Sequence, residues 1–144
     1  MTRILIASMA LLLMTAVIGC SGKDYEGELR HSLAGNITVD GEDVFEKGTI
    51  SFLPDATNGK ARPAGGEVID GKFEFSEGMG ANGGSYRVQI SWHKGTGKFA
   101  KDPDSGEEYE VRVEGLPAKY NTKSELQVTI PSEDNRYDFD LKTK

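Results

Sequence analysis

The chain has 144 residues, with 17 Lys and Arg against 23 Asp and Glu, 18 Gly and one Cys, a length that suits one domain and is short for two. Its acidic balance argues against a nucleic-acid partner, which needs a basic face to displace phosphate counterions. The single cysteine excludes a disulfide framework and a cysteine-built zinc site.

The first element is an address. Met1, Thr2 and Arg3 make a short positive start, and residues 4–18 are an apolar run. A membrane-spanning helix wants about 20 such residues, so this run suits the hydrophobic region of a secretory signal better than a permanent span. It ends in Val17, Ile18, Gly19 and Cys20, followed by Ser21 and Gly22. That ending resembles the lipobox of bacterial lipoproteins, in which a small residue precedes an obligatory cysteine. The resemblance implies a signal peptide over 1–19, removed ahead of Cys20. It also implies a diacylglycerol on the Cys20 thiol and an acylated amine at the new terminus. Ser21, where an inner-membrane lipoprotein would often carry Asp, leans toward the outer membrane.

Residues 20–32 read as the lipidated Cys and a flexible tether. Residues 21–32 are polar, mixed in charge and without period, and span at most about 40 Å if fully extended. His31 falls in this stretch and reads as inert.

From residue 33 to 144 the pattern is one β domain with period-two alternation. Strands are expected at Gly35–Val39 and Gly48–Phe52, with a turn at Asp40-Gly41 and a loop over 55–63 containing Asn58-Gly59. Gly66–Ile69 and Lys72–Phe75 flank Asp70-Gly71, a two-residue loop that favours a type I′ hairpin because both positions need φ > 0. That register sets Val68 opposite Phe73 and Gly66 opposite Phe75. Glycine-rich Glu77–Gly84 is expected to be loop. Ser85–His93 is the strongest strand, with Tyr86, Val88, Ile90 and Trp92 pointing one way. A long polar loop is expected over 95–107, a short strand over Tyr109–Val113, and two final strands around Leu126–Ile130 and Tyr137–Leu141. Seven or eight short strands predict an all-β, antiparallel β-sandwich.

The order of motifs carries a further resemblance. Gly35 to Gly41 (GNITVDG), Gly48 to Pro54 (GTISFLP), Asp70 to Phe75 (DGKFEF) and Gly84 to Val88 (GSYRV) resemble carboxypeptidase regulatory-like, transthyretin-like β-sandwich domains. They are similar also to short bacterial lipoproteins built from one such domain, which place a Pro-x-Lys-Tyr segment before two last strands. Here that segment is Pro117 to Tyr120. These motifs are turn glycines and core positions, so they specify fold more than function. Two relatives carry chemistry that does not transfer. The His-x-x-Glu zinc motif of metallocarboxypeptidases would need a glutamate three residues after His31 or His93, where Ala34 and Thr96 stand. The Tyr-Arg-Gly-Ser ending of transthyretin-related hydrolases is absent, since Tyr86-Arg87 continues into a strand.

Few residues qualify as site candidates. His93, alone in the expected domain, lacks the partner that acid–base or metal work needs. Asp102, Asp104, Glu107 and Glu108 cluster around a turn glycine, which suits the hard oxygen ligands of Ca²⁺, but the EF-hand spacing is missing and a solvated acidic loop is the simpler reading. Trp92 could offer a sugar-stacking face, although its parity makes it core. Tyr120 and Asn121 are the candidate ligand contacts, set against a tyrosine that simply packs at a strand corner.

The sequence therefore predicts a lipid-anchored, non-catalytic binding or scaffolding module in the cell envelope. Its partners would be membrane lipid through Cys20 and an envelope protein or glycan; no cofactor is implied. A glycan- or peptide-binding accessory subunit of an uptake or degradation system is the alternative, and a hydrolase comes third.

Overall fold

The computed structural model describes residues 29–57 and 61–144. The apolar leader, Cys20 and the Asn58-Gly59 turn lie outside the described residues.

Among the described residues ten strands follow one another: β1 (Arg30–His31), β2 (Leu33–Val39), β3 (Lys47–Pro54), β4 (Ala64–Ile69), β5 (Lys72–Phe75), β6 (Ala81–Asn82), β7 (Gly84–Lys101), β8 (Glu108–Glu114), β9 (Gln127–Ile130) and β10 (Phe139–Leu141). A single 3₁₀ turn, Ala118–Tyr120, lies between β8 and β9. The main sheet runs β10-β2-β5-β4-β3-β7-β8, with β9 also on β7, while β1 and β6 form a separate pair. The sheet curls on itself, so that Phe52 of β3 meets Phe73 of β5 and Tyr137 ahead of β10, each at 5.9 Å between ring centroids. This is the all-β sandwich that alternation predicts.

Alternation supplies the core. Leu33, Ile37 and Val39 of β2, Ile50 and Phe52 of β3, and Tyr86, Val88, Ile90 and Trp92 of β7 are all buried. Full burial of each aliphatic side chain contributes about 1.5–3 kcal/mol. The hairpin forms as expected. Asp70 and Gly71 have φ of 49° and 68°, Ile69 pairs with Lys72, and the Phe75 ring fills the space where a Gly66 side chain would stand.

Four expectations are corrected. The sandwich is mixed in sense, because β10 runs parallel to β2. Parallel strands cannot be joined by a tight hairpin; β2 and β10 are linked through the rest of the sheet, and residues 131–138 carry the chain from β9, paired with β7, to β10 beside β2. The domain starts earlier than residue 33: Arg30 and His31 pair with Asn82 and Ala81, and the Arg30 guanidinium donates to Gly78 O (2.7 Å) and Gly80 O (2.9 Å from Nε). Within the expected 77–84 loop, Ala81 and Asn82 are strand and buried. The largest correction lies at 95–107, where β7 continues to Lys101 and only residues 102–107 form the connection.

Candidate functional site

β7 outruns the sheet. β3 accompanies it from Tyr86 to Trp92, and from His93 onward its ladder partner among the described residues is β8. The end of β7 and all of β8 therefore form a two-stranded ribbon. Gly115 N donates to Trp92 O (2.8 Å) and Thr96 Oγ1 donates to Val111 O (2.6 Å). Residues 111, 113 and 115 thus turn their backbone groups toward β7, and strand alternation points those of Glu110, Arg112 and Glu114 away from it.

The ladder slips between Gly95 and Phe99, a bulge that sharpens the ribbon's twist. Gly95 has a packing reason: a Cβ there would lie 2.5 Å from Glu110 Oε1. The Glu110 carboxylate uses that room to accept from Gly97 N (3.0 Å) and from Arg112 Nη2 (3.3 Å). Arg112 Nη1 donates to His93 O (2.8 Å) and lies 3.6 Å from Glu46 Oε2. These pairs are solvent-exposed and contribute about 1 kcal/mol or less each. Their effect is to fix the ribbon's angle to the body. Phe99, Tyr109 and Val113 on the ribbon are exposed by half or more.

A cleft of about 380 Å³ at the ribbon's root is bounded by Val44, Glu46, Trp92, Lys94, Gly95 and Glu110. A wider one, about 620 Å³, shares Val44 and Glu46 with it and adds Asp43, Asp70 and Lys72. Trp92 borders only the smaller of the two, and with little open surface. Phe45 stacks on it at 5.9 Å and Lys94 Nζ sits 5.3 Å from the ring centroid, leaving the residue 6% exposed. Phe45, like Leu116, is a core residue that alternation does not reveal, since it belongs to no strand. Its ring lies against Gly48, where a Cβ would come within 2.6 Å.

The other candidates are placed as follows. His31 lies in β1 opposite Ala81. His93 is exposed in β7 opposite Glu114, a carboxylate that sequence spacing does not connect with it. Glu114 Oε1 is already taken, accepting from Trp92 N (3.0 Å) and Leu116 N (2.9 Å). The structure does not bring the two histidines into one strand pair.

Asp102 turns the ribbon. Its Oδ1 accepts from Ser105 N (2.8 Å), Asp104 N (2.9 Å) and Ser105 Oγ (3.2 Å), and these donors, Ser105 N first, hold its carboxyl below the ordinary aspartate range. Gly106 closes the turn at φ 73°. Of the four carboxylates considered for calcium, Asp102 is thus engaged by the turn through Oδ1, and no group of three or more metal-ligating side chains gathers among the described residues.

Tyr120 is buried, and its hydroxyl accepts from Lys142 N at 2.9 Å, tying the 3₁₀ turn to the end of β10. Asn121 is also buried; its Oδ1 accepts from Thr122 N (2.6 Å), while its Nδ2 has no partner among the described residues. Ser124, which the sequence does not single out, donates its hydroxyl to Val88 O and accepts from Leu126 N (3.2 Å). The segment 117–126 is thus stitched to β7 and β10 and presents structural bonds where ligand contacts were sought.

Comparison with protein-family profiles, with curated proteins and with solved structures returned no match.

Proposed function

We propose that this chain is a lipid-anchored envelope protein whose transthyretin-like sandwich is a non-catalytic binding and scaffolding module. The observation that carries the reading is the placement of the only thiol, Cys20, directly after Gly19 and an apolar run too short to span comfortably. Two acyl chains anchor stably where one binds marginally. The ten steps from Cys20 to Arg30 reach at most about 35 Å, which keeps the domain close to the lipid surface.

The binding role draws on the ribbon. It runs on past β3 and exposes Phe99, Tyr109 and Val113. A peptide or protein partner fits such a strand pair better than a glycan does, because Trp92 is packed from above by Lys94 and from beside by Phe45.

Mass spectrometry of the amino-terminal peptide tests the anchor. A mature chain beginning at acylated Cys20 is expected, and Cys20→Ser should lose that mass and retain the leader. An unmodified Met1 or a free mature thiol would refute the reading. For the binding role, a pull-down from detergent-solubilised envelope should return a discrete protein; glycan alone would favour the accessory-subunit alternative.

A further inference from the structure

We infer that β8 is a self-pairing edge, through which two copies of this chain join antiparallel about Val111. The inference stands on the ribbon and does not require the lipid anchor.

The two ends of the main sheet are treated differently. At one end β10 is three residues long and carries charges on and beside it, Asp138, Asp140 and Lys142. Shortness is one way sheet edges are kept from pairing, and it is length rather than charge that separates the two ends, since β8 also carries Glu108, Glu110, Arg112 and Glu114. At the other end β8 has seven residues, Glu108–Glu114, with neither proline nor lysine. Its pairing partner among the described residues is β7 alone, so the outward N–H and C=O groups of Glu110 and Arg112 form an open ladder.

Sequence symmetry names the occupant. Hydrogen-bonded pairs across the new edge must join outward-facing residues, and three registers keep most of β8 paired. Centring on Glu110 sets that carboxylate against its own copy, and centring on Arg112 does the same with two guanidinium groups; both are penalised as like-charge pairs. Centring on Val111 sets the Glu110–Arg112 pair of one copy, already joined within its own chain, against the same pair of the second copy in reverse order, so that each Glu110 faces an Arg112 and the charges alternate. The alternate face then reads Tyr109 against Val113, Val111 against Val111, Val113 against Tyr109, an apolar stripe built from side chains that the single chain exposes or half-exposes. Glu108 falls opposite Glu114, but the Glu114 carboxylate is turned inward onto Trp92 N and Leu116 N. The twofold arrangement is isologous and closes on itself, so it stops at two copies.

One strand pair buries less than the roughly 1,000 Å² expected of a stable interface, so the dimer is weak in dilute solution and is best trapped. The full-length chain is purified in detergent at high concentration, as Val111→Cys, Val113→Cys and Phe99→Cys, with the unsubstituted chain setting the background from Cys20, and each is oxidised. Val111→Cys should give roughly tenfold more disulfide dimer than the other two, since only on the axis do the two Cα atoms come within the about 4.4–6.8 Å that a disulfide accepts. Adding Arg112→Glu should suppress that dimer, and adding Glu110→Arg as well should restore it. In the unsubstituted chain, hydrogen exchange of the Glu110 and Arg112 amides should slow as concentration rises. Equal cross-linking at all three positions, a dimer through Val113 in place of Val111, or concentration-independent exchange would overturn the proposal. A disulfide from Val111→Cys to a different protein would overturn it in favour of a foreign strand on the same edge.

Discussion

Tyr120 shows how a residue selected for its chemistry can be explained by architecture. Its ring is buried and its hydroxyl accepts from the backbone of Lys142, so Tyr120→Phe leaves a strand-end N–H without its partner. The expected cost is about 1 kcal/mol, read as a lower urea midpoint with no change in slope. Trp92 belongs to the same scale. Enclosed by Phe45 and Lys94, it should emit at short wavelength, and Trp92→Ala should cost about 3–5 kcal/mol; red-shifted emission in the native protein would contradict its burial. The parity of Tyr86, Val88, Ile90 and Trp92 was enough to place these side chains inside. Phe45 was not legible in this way, because it is delivered by an irregular connector and held by the missing side chain of Gly48. Periodicity carries no information about a residue outside a strand.

Elements were legible where one face is wet and the other dry. The β4–β5 hairpin is such a case, and its turn depends on a backbone that only Gly71 adopts without cost. Gly71→Ala would strain φ at 68° and bring a methyl group to 2.7 Å from Ile37 O. A loss of at least about 1–2 kcal/mol is expected, measurable by chemical denaturation. The ribbon was legible only in part: its β8 strand was legible as Tyr109–Val113, while the β7 half was not, because with solvent on both faces residues 94–101 have no hydrophobic alternation to betray a strand. Its acidic turn read as a candidate calcium loop because Asx-turn residues and calcium ligands are the same residue types. Millimolar Ca²⁺ should leave the Tm unchanged, as should Asp104→Ala with or without it; a rise abolished by that substitution would restore the calcium reading by linkage.

The carboxyl-terminal strand titrates as an element. Thr143 hydroxyl and amide groups hold the Asp40 carboxyl below its ordinary range, and Lys142, with Gly41 N and Thr38 Oγ1, does the same for Asp140. Depressed carboxyl values mean that the native state favours the ionised form, so this contribution is complete above the ordinary aspartate range. It is lost as pH falls through the lower native values. Acid should therefore loosen β10 in amide exchange, and Asp140→Asn should reduce that pH dependence to the share that Asp40 contributes, while leaving the hairpin amides unaffected.

At the scale of the whole molecule, the unusual feature is that the last described strand closes on one of the first. β10 lies parallel to β2, and Asn36 N donates to Asp138 Oδ1 (2.7 Å) across 102 residues of sequence. No local signal could have announced this. Alternation gives a strand its faces but not its neighbour, and hairpin chemistry favours the antiparallel sense. Long-range closure of this kind ties the stability of remote parts together, and that has a direct test. Leu141 is 1% exposed on β10, and Leu141→Ala should cost about 2–5 kcal/mol through lost transfer energy and a residual cavity. If closure by β10 holds the sandwich as one cooperative unit, Trp92 emission on β7 and the far-UV β signal should shift to the same lower urea midpoint, with an unchanged slope. If β10 frays by itself, the Trp92 transition will stay where it is while protease begins to cut after residue 130. The first outcome is expected, because Tyr137, Phe139 and Leu141 pack into the same cluster as Phe52 and Phe73, and a cavity at that closure is felt by both layers at once.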